Sequence, residues 1–182
     1  MQYYLSLFSV ALAALAVTAQ GRDHSDSSSG DEAWVPCLCE EEAWDIARRW
    51  LDIFSTGGGV SSKAELATIV SPDIKSYDYT YGPPVIGIDR FWEVLIAPTS
   101  ETTTNMTQTP TFLLHTCDQI AFNWRFTAAT TGFNSSVPAG TTVSLTGNDI
   151  LRVDLETGLI SNATSNGDWI LLARQLGGNC NI

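Results

Sequence analysis

Asp149 is the residue whose placement asks most of its surroundings. In Gly147-Asn148-Asp149-Ile150-Leu151-Arg152-Val153-Asp154-Leu155, strand alternation puts Gly147, Asp149, Leu151, Val153 and Leu155 on one face and the polar residues with Ile150 on the other. A carboxylate on an apolar face is costly unless paired, and loss of hydration raises its pKa toward that of a general acid or base. The plainer alternative is a structural acid that accepts hydrogen bonds where the sheet bends. His115, in Thr111-Phe112-Leu113-Leu114-His115, is the one histidine besides His24. A neutral imidazole there could orient a water or polarise a carbonyl, or simply be satisfied by a backbone carbonyl in the core. Tyr77 and Tyr79 share a strand face, where a phenol can donate to a developing oxyanion, although both suit packing on Phe91 and Trp92 equally well. Asp45 is a further carboxylate, on a helix surface that water alone would explain. Trp44, Trp50, Trp92, Trp124 and Trp169 suit a pocket for a flat or polycyclic ligand, or a core.

These side chains need elements to hold them. Residues 40–54 (EEEAWDIARRWLDIF) place Ala43, Ile46, Ala47, Trp50, Leu51 and Phe54 on one helical face with acids in the first turn, and Gly57-Gly58-Gly59 ends the helix. A second helix is predicted over 63–70 behind Ser61 or Ser62, then a strand over 74–81. Gly82-Pro83-Pro84 breaks that strand, and a third helix is predicted over 88–97, stopped by Pro98. Residues 111–119, 120–130, 141–155 and 159–176 are β-prone. A loop over 132–140, the Glu156-Thr157-Gly158 turn and an irregular polar stretch over 161–168 interrupt them. Three helices followed by an antiparallel meander predict an α+β domain in which a strongly curved sheet wraps the helices and closes on a pocket.

Bulk properties narrow the function. Residues 1–19 hold no charged side chain, carry an apolar run over 5–17 and end in Val17-Thr18-Ala19, the pattern of a signal peptide and too short for a membrane span. Residues 20–35 begin as an acidic, Ser-rich leader expected to be disordered, leaving 36–182 as one domain. The chain is therefore expected to be secreted. A net charge of -11 repels nucleic acid and anionic membranes. Four cysteines in an exported chain predict two disulfides, with Cys37 and Cys39 reaching to Cys117 and Cys180 rather than to each other. Sequons at Asn105, Asn134 and Asn162 predict N-glycosylation. No phosphate loop, nucleophile elbow or metal-ligand spacing occurs in the sequence, so no cofactor and no metal are expected.

Several segments resemble a known family in order and spacing. They are the aromatic first helix with Trp44 and Trp50, Tyr77-Asp78-Tyr79, Pro84-x-x-Gly87-x-Asp89-x-Phe91-Trp92, and Gly147 to Asp154 running into Gly158. Together they resemble the domain shared by nuclear transport factor 2, SnoaL-type polyketide cyclases, ketosteroid isomerase and scytalone dehydratase. As an exported, glycosylated chain it resembles the fungal members. The resemblance implies three N-terminal helices on a strongly curved, mixed but mainly antiparallel sheet, a cystatin-like cone around a pocket. It further implies polar pocket residues near Asp149, His115 and Tyr77, and a helix carboxylate near Asp45. Where the dehydratase has a second histidine this chain offers Asn123 or Trp124, a departure from dehydration of the family type. The resemblance implies two readings. One is a cofactor-independent cyclase, isomerase or dehydratase acting on a hydrophobic secondary metabolite, with Asp149 or His115 moving a proton and a tyrosine supporting the enolate. The other is a non-catalytic binding or effector-type domain. Pairing of two copies through the open sheet face is also implied.

Overall fold

The computed structural model describes residues 37–178 except 57, 58, 79, 81 and 98–100. The predicted signal peptide and leader, Tyr79 and Cys180 lie outside the described residues. Helix α1 (Glu40–Asp52) forms as its spacing predicts, with Ala43, Ala47, Trp50 and Leu51 buried. Its first turn is secured where the Cys39 amide donates to Glu42 Oε2 at 2.9 Å. Helix α2 (Lys63–Leu66) is a single turn capped by Ser62 and tied to α1 where Arg49 donates to the Thr68 carbonyl at 2.6 Å. Strand β1 (Val70–Tyr77) then begins four residues before its predicted start, because Val70 belongs to the strand and is fully buried. Strand β2 (Val85–Ile86) folds back on β1, and Gly87, at φ 83, turns the chain into α3 (Ile88–Ile96).

Four long strands follow: β3 (Thr103–His115), β4 (Gln119–Thr130), β5 (Thr142–Asp154) and β6 (Leu159–Gly167). The six-stranded sheet has the order β2-β1-β6-β5-β4-β3, with β1 and β6 parallel and every other pair antiparallel. Register shifts in β1, β3 and between Arg152 and Val153 of β5 bend the sheet, as an extra residue in one strand does. Its inner face carries Ile120, Phe122, Trp124 and Phe126 of β4 and Val143, Leu145, Leu151 and Val153 of β5 against the buried face of α1.

Two expectations need correction. The helices are not three ahead of the sheet: α1 and α2 precede it, α3 lies between β2 and β3, and α4 (Trp169–Gln175) follows β6. The segment read as one β-prone run over 159–176 is a strand and then a helix. Asp168 makes the break, accepting from the Leu171 amide at 2.9 Å as an N-cap. Conversely, the stretch read as irregular over 161–168 is largely strand β6, polar because its outer face meets solvent and its inner face meets Asp149. Cys37 and Cys117 form a disulfide that closes 80 residues, with the Leu38 amide donating to the Cys117 carbonyl beside it. Cys117 sits in the turn between β3 and β4 rather than within a strand, so the bridge fastens the start of α1 to that turn. Closing a loop of this length contributes on the order of 4 kcal/mol. Cys39 is exposed and makes no disulfide among the described residues. No described helix is long and apolar enough to cross a membrane.

Candidate functional site

Strand alternation does send Asp149 inward, where it is 3% exposed. Three elements converge on it. Trp50 Nε1 of α1 donates to Oδ2 at 2.6 Å, and Trp124 Nε1 of β4 donates to Oδ1 at 2.8 Å. Ser165, its direct partner on β6, adds a third side-chain hydrogen bond. Each indole is held in turn. Trp50 stacks on Phe91 of α3 at 5.8 Å and meets Phe54 edge-on at 5.3 Å. Trp124 lies over Gly147 and Gly167, which face each other across β5 and β6. A Cβ at Gly147 would overlap the indole and the Asn166 carbonyl, and one at Gly167 would approach it to 3.0 Å. Trp169 closes the far side at 6.5 Å from Trp124 and 6.3 Å from Phe126.

Burial pushes Asp149 up to about 6 from 3.8; the hydrogen bonds from Trp124, Trp50 and Ser165 oppose the rise, and the charge of Asp78 adds to it. The acid thus titrates near neutrality, yet both oxygens are occupied by indole donors and aromatic rings fill the interior around it. Among the described residues the two best-defined concavities are open surface grooves, and Asp149 lines neither. One, of about 340 Å³, lies between α1 and β3, lined by Trp44, Arg48, Asp52, Gln108, Thr109 and Pro110. Arg48 sits over the Trp44 ring at 5.7 Å. The other, of about 490 Å³, is lined largely by acids around Arg152. Among the described residues no three His, Cys, Asp or Glu side chains gather as a metal-ligand set.

His115, Tyr77, Asn123, Trp92 and Asp45 do not join Asp149. His115 is exposed at the end of β3, its Nδ1 3.1 Å from the Thr116 carbonyl. It pairs with Ile120, two residues along and two strands across from Asp149, whose own row runs through Phe122 to Leu113. Tyr77 pairs with Thr164, in the row that leads to exposed Ile150 on the outer face. Asn123 is exposed on that same face, where its amide donates to Asn148 Oδ1. Trp92 is half-buried against the core and Asp45 is exposed on α1. Of the described residues singled out from the sequence, Trp50 and Trp124 share the site with Asp149, and Trp169 packs beside Trp124. Two members were missed: Ser165 was read as part of an irregular polar stretch, and Asp78 only as the middle of Tyr77-Asp78-Tyr79; Trp50 was read both on the apolar helix face and among the tryptophans suited to a pocket or core. The spacing of Gly147 and Gly167 was the signal available, since paired strand glycines mark a place where something bulky crosses.

No family model and no curated protein matches this chain. Solved structures do. A protein from a Jannaschia species named as a SnoaL-like polyketide cyclase superposes with a TM-score of 0.60 at 14% identity, over 83% of this chain and all of its own. IdmH from Streptomyces antibioticus, named as a polyketide cyclase, matches at 0.58 and 20% identity, over 74% of this chain and 98% of its own. A protein of ketosteroid isomerase-like fold from Catenulispora acidiphila, solved with trimethylamine, matches at 0.58 and 16%, over 74% and 94%. At such identities the similarity is one of fold. The chain is an α+β domain whose helices and mixed sheet are arranged as in proteins named as SnoaL-like polyketide cyclases.

Proposed function

We infer that this chain is a secreted, non-catalytic binding domain that keeps the cyclase cone and fills it with its own side chains. The observation that carries this reading is Asp149: the one inward carboxylate of β5 spends both oxygens on Trp50 and Trp124. An acid–base catalyst needs an oxygen that a reacting proton can approach to about 3 Å. Here that space is indole, His115 lies exposed at the end of β3 two strands away, and Tyr77 stands in an outer-face row. Asp149 acts as a structural acceptor that locks α1 onto the sheet. Small apolar ligands then meet the protein outside the cone, and the open groove at Trp44 and Arg48 offers an aromatic surface beside polar groups. Export is supported by the pattern of residues 1–19 and by the Cys37–Cys117 bridge, a linkage typical of oxidising compartments.

One observation favours a cyclase- or isomerase-type enzyme instead. Asp149 holds a proton up to about 6, with a second acid, Asp78, near enough to affect it. In that reading Trp124 swings off Gly147 to admit a hydrophobic substrate. Native mass spectrometry of the protein secreted by its own host, with lipophilic extraction, separates the two. The binding-domain reading expects no molecule held one per chain at Asp149, and a loss of stability in Asp149→Asn. A hydrophobic molecule that co-purifies one per chain and is lost in Asp149→Asn overturns it.

A further inference from the structure

Side chains fill the inner face of the sheet, whereas its outer face carries apolar groups with no cover. Directly opposed residues cross it in rows: Leu114, Ala121, Ile150 and Thr164 in one, Phe112, Asn123, Asn148 and Asn166 in the next. Phe112, Leu114 and Ile150 are 53%, 62% and 52% exposed. Phe112 and Leu114 on β3 and Ile150 on β5, with Ala121 of β4 between Leu114 and Ile150, leave apolar surface of the kind that soluble proteins cover or use. The row on the other side of Ile150 consists of Gln119, Arg152, Asn162 and Lys75.

Asn162 begins the sequon Asn162-Ala163-Thr164. The register shift beside it places Ser161 as the extra residue between Ile160 and Asn162. Ile160 and Ala163 are therefore both buried against the core, while Asn162 and Thr164 stand together on the outer face. Ile150 is a diagonal neighbour of Asn162, about 7 Å away in such a sheet. Leu114 lies two strands beyond Ile150, about 10 Å further. Arg152 and Lys75 flank Asn162 with donors that suit sugar hydroxyls. Asn162 is half-buried; Asn105 and Asn134 are exposed, but in left-handed backbone at a register shift of β3 and in the β4–β5 loop, outside these rows.

We propose that Asn162 carries an N-linked oligosaccharide that lies over this apolar face and keeps a second copy from pairing through it. The proposal rests on the reading that the chain is exported. In the transfer, the Asn162 amide nitrogen bonds to the anomeric carbon of a lipid-diphosphate-linked oligosaccharide. The anomeric C–O bond breaks, the lipid diphosphate leaves with the electron pair, and the amide gives up one proton. The sugar replaces protein as the cover of Ile150, Leu114 and Phe112, so the face is shielded without a partner chain.

The test is expression of the full chain through a yeast secretory pathway, glycopeptide mapping of all three sequons, and light scattering of the purified protein. Asn162 is expected to be occupied and the parent monomeric. Asn162→Gln and Thr164→Ala, which remove the sequon from either end, are expected to at least double the mass by self-association. Enzymatic removal of the glycan from folded parent gives the same readout without a substitution, should a variant misfold. Glycan at Asn105 or Asn134 with Asn162 bare overturns the proposal alone, as does an occupied Asn162 whose removal leaves a monomer. Absence of sugar from every sequon overturns the proposal, and retention of the full chain inside the cell overturns the export reading.

Discussion

The two faces of strand β5 follow the same alternation and reach opposite ends. Inward, Asp149 is a carboxyl group in an apolar core; outward, Ile150 is an apolar side chain in water. Both run against simple partition, and different devices make each tolerable. The inner violation is internally paired: two indoles and a serine supply the hydrogen bonds that water would have given. The outer one is left half-exposed, and a cover for it would be attached or come from outside the described residues. A buried polar group thus has to be answered by the fold itself, whereas an exposed apolar one can be answered by chemistry added later.

The largest expected effect is on the inner face. Trp50→Ala removes a fully buried indole, its stacking on Phe91 and one donor to Asp149, and is expected to cost about 3–5 kcal/mol in denaturant unfolding. A cost below about 1 kcal/mol would break the picture of Asp149 as a lock between helix and sheet. Acidification should show a smaller effect of opposite sign to the usual one. Asp149 binds its proton more tightly folded, at about 6, than at its ordinary 3.8. Its contribution therefore grows as pH falls through 6 toward 4 and is lost as pH rises back above 6, a difference on the order of 2 kcal/mol between pH 7 and pH 4.5. Glu42 and Glu65, which accept backbone hydrogen bonds from Cys39 and Ser61 and sit below the usual carboxylate range, act the other way at lower pH. Unfolding curves of parent and Asp149→Asn at both pH values isolate the term, and equal pH dependence in the two removes it. The smallest effect belongs to the outer face. Ile150→Thr is expected to change monomer stability by no more than about 0.5 kcal/mol while reducing self-association of unglycosylated protein. A larger loss of monomer stability would show that this face is packed after all.

The helix α1 was legible because its apolar stripe, acidic first turn and glycine stop all agree. Strands β4 and β5 were legible for the same reason: strict alternation over 12 and 13 residues leaves little ambiguity. Strand β6 and helix α4 were not. In β6 both faces carry small polar residues, and the cap at Asp168 lies where a run of Leu and Ile continues as though the strand went on.

What the sequence alone determined is the inward placement of Asp149, the wealth of tryptophan around it and the outward position of Ile150, since these follow from a period of two and from composition. Which residues Asp149 meets was decided only by the tertiary structure. Trp50 lies 99 residues away and Trp124 25, and their approach depends on strand register, on two opposed glycines that leave room for an indole, and on a disulfide that fastens α1 to the sheet. Register is a property of pairs of strands, and no single strand encodes it.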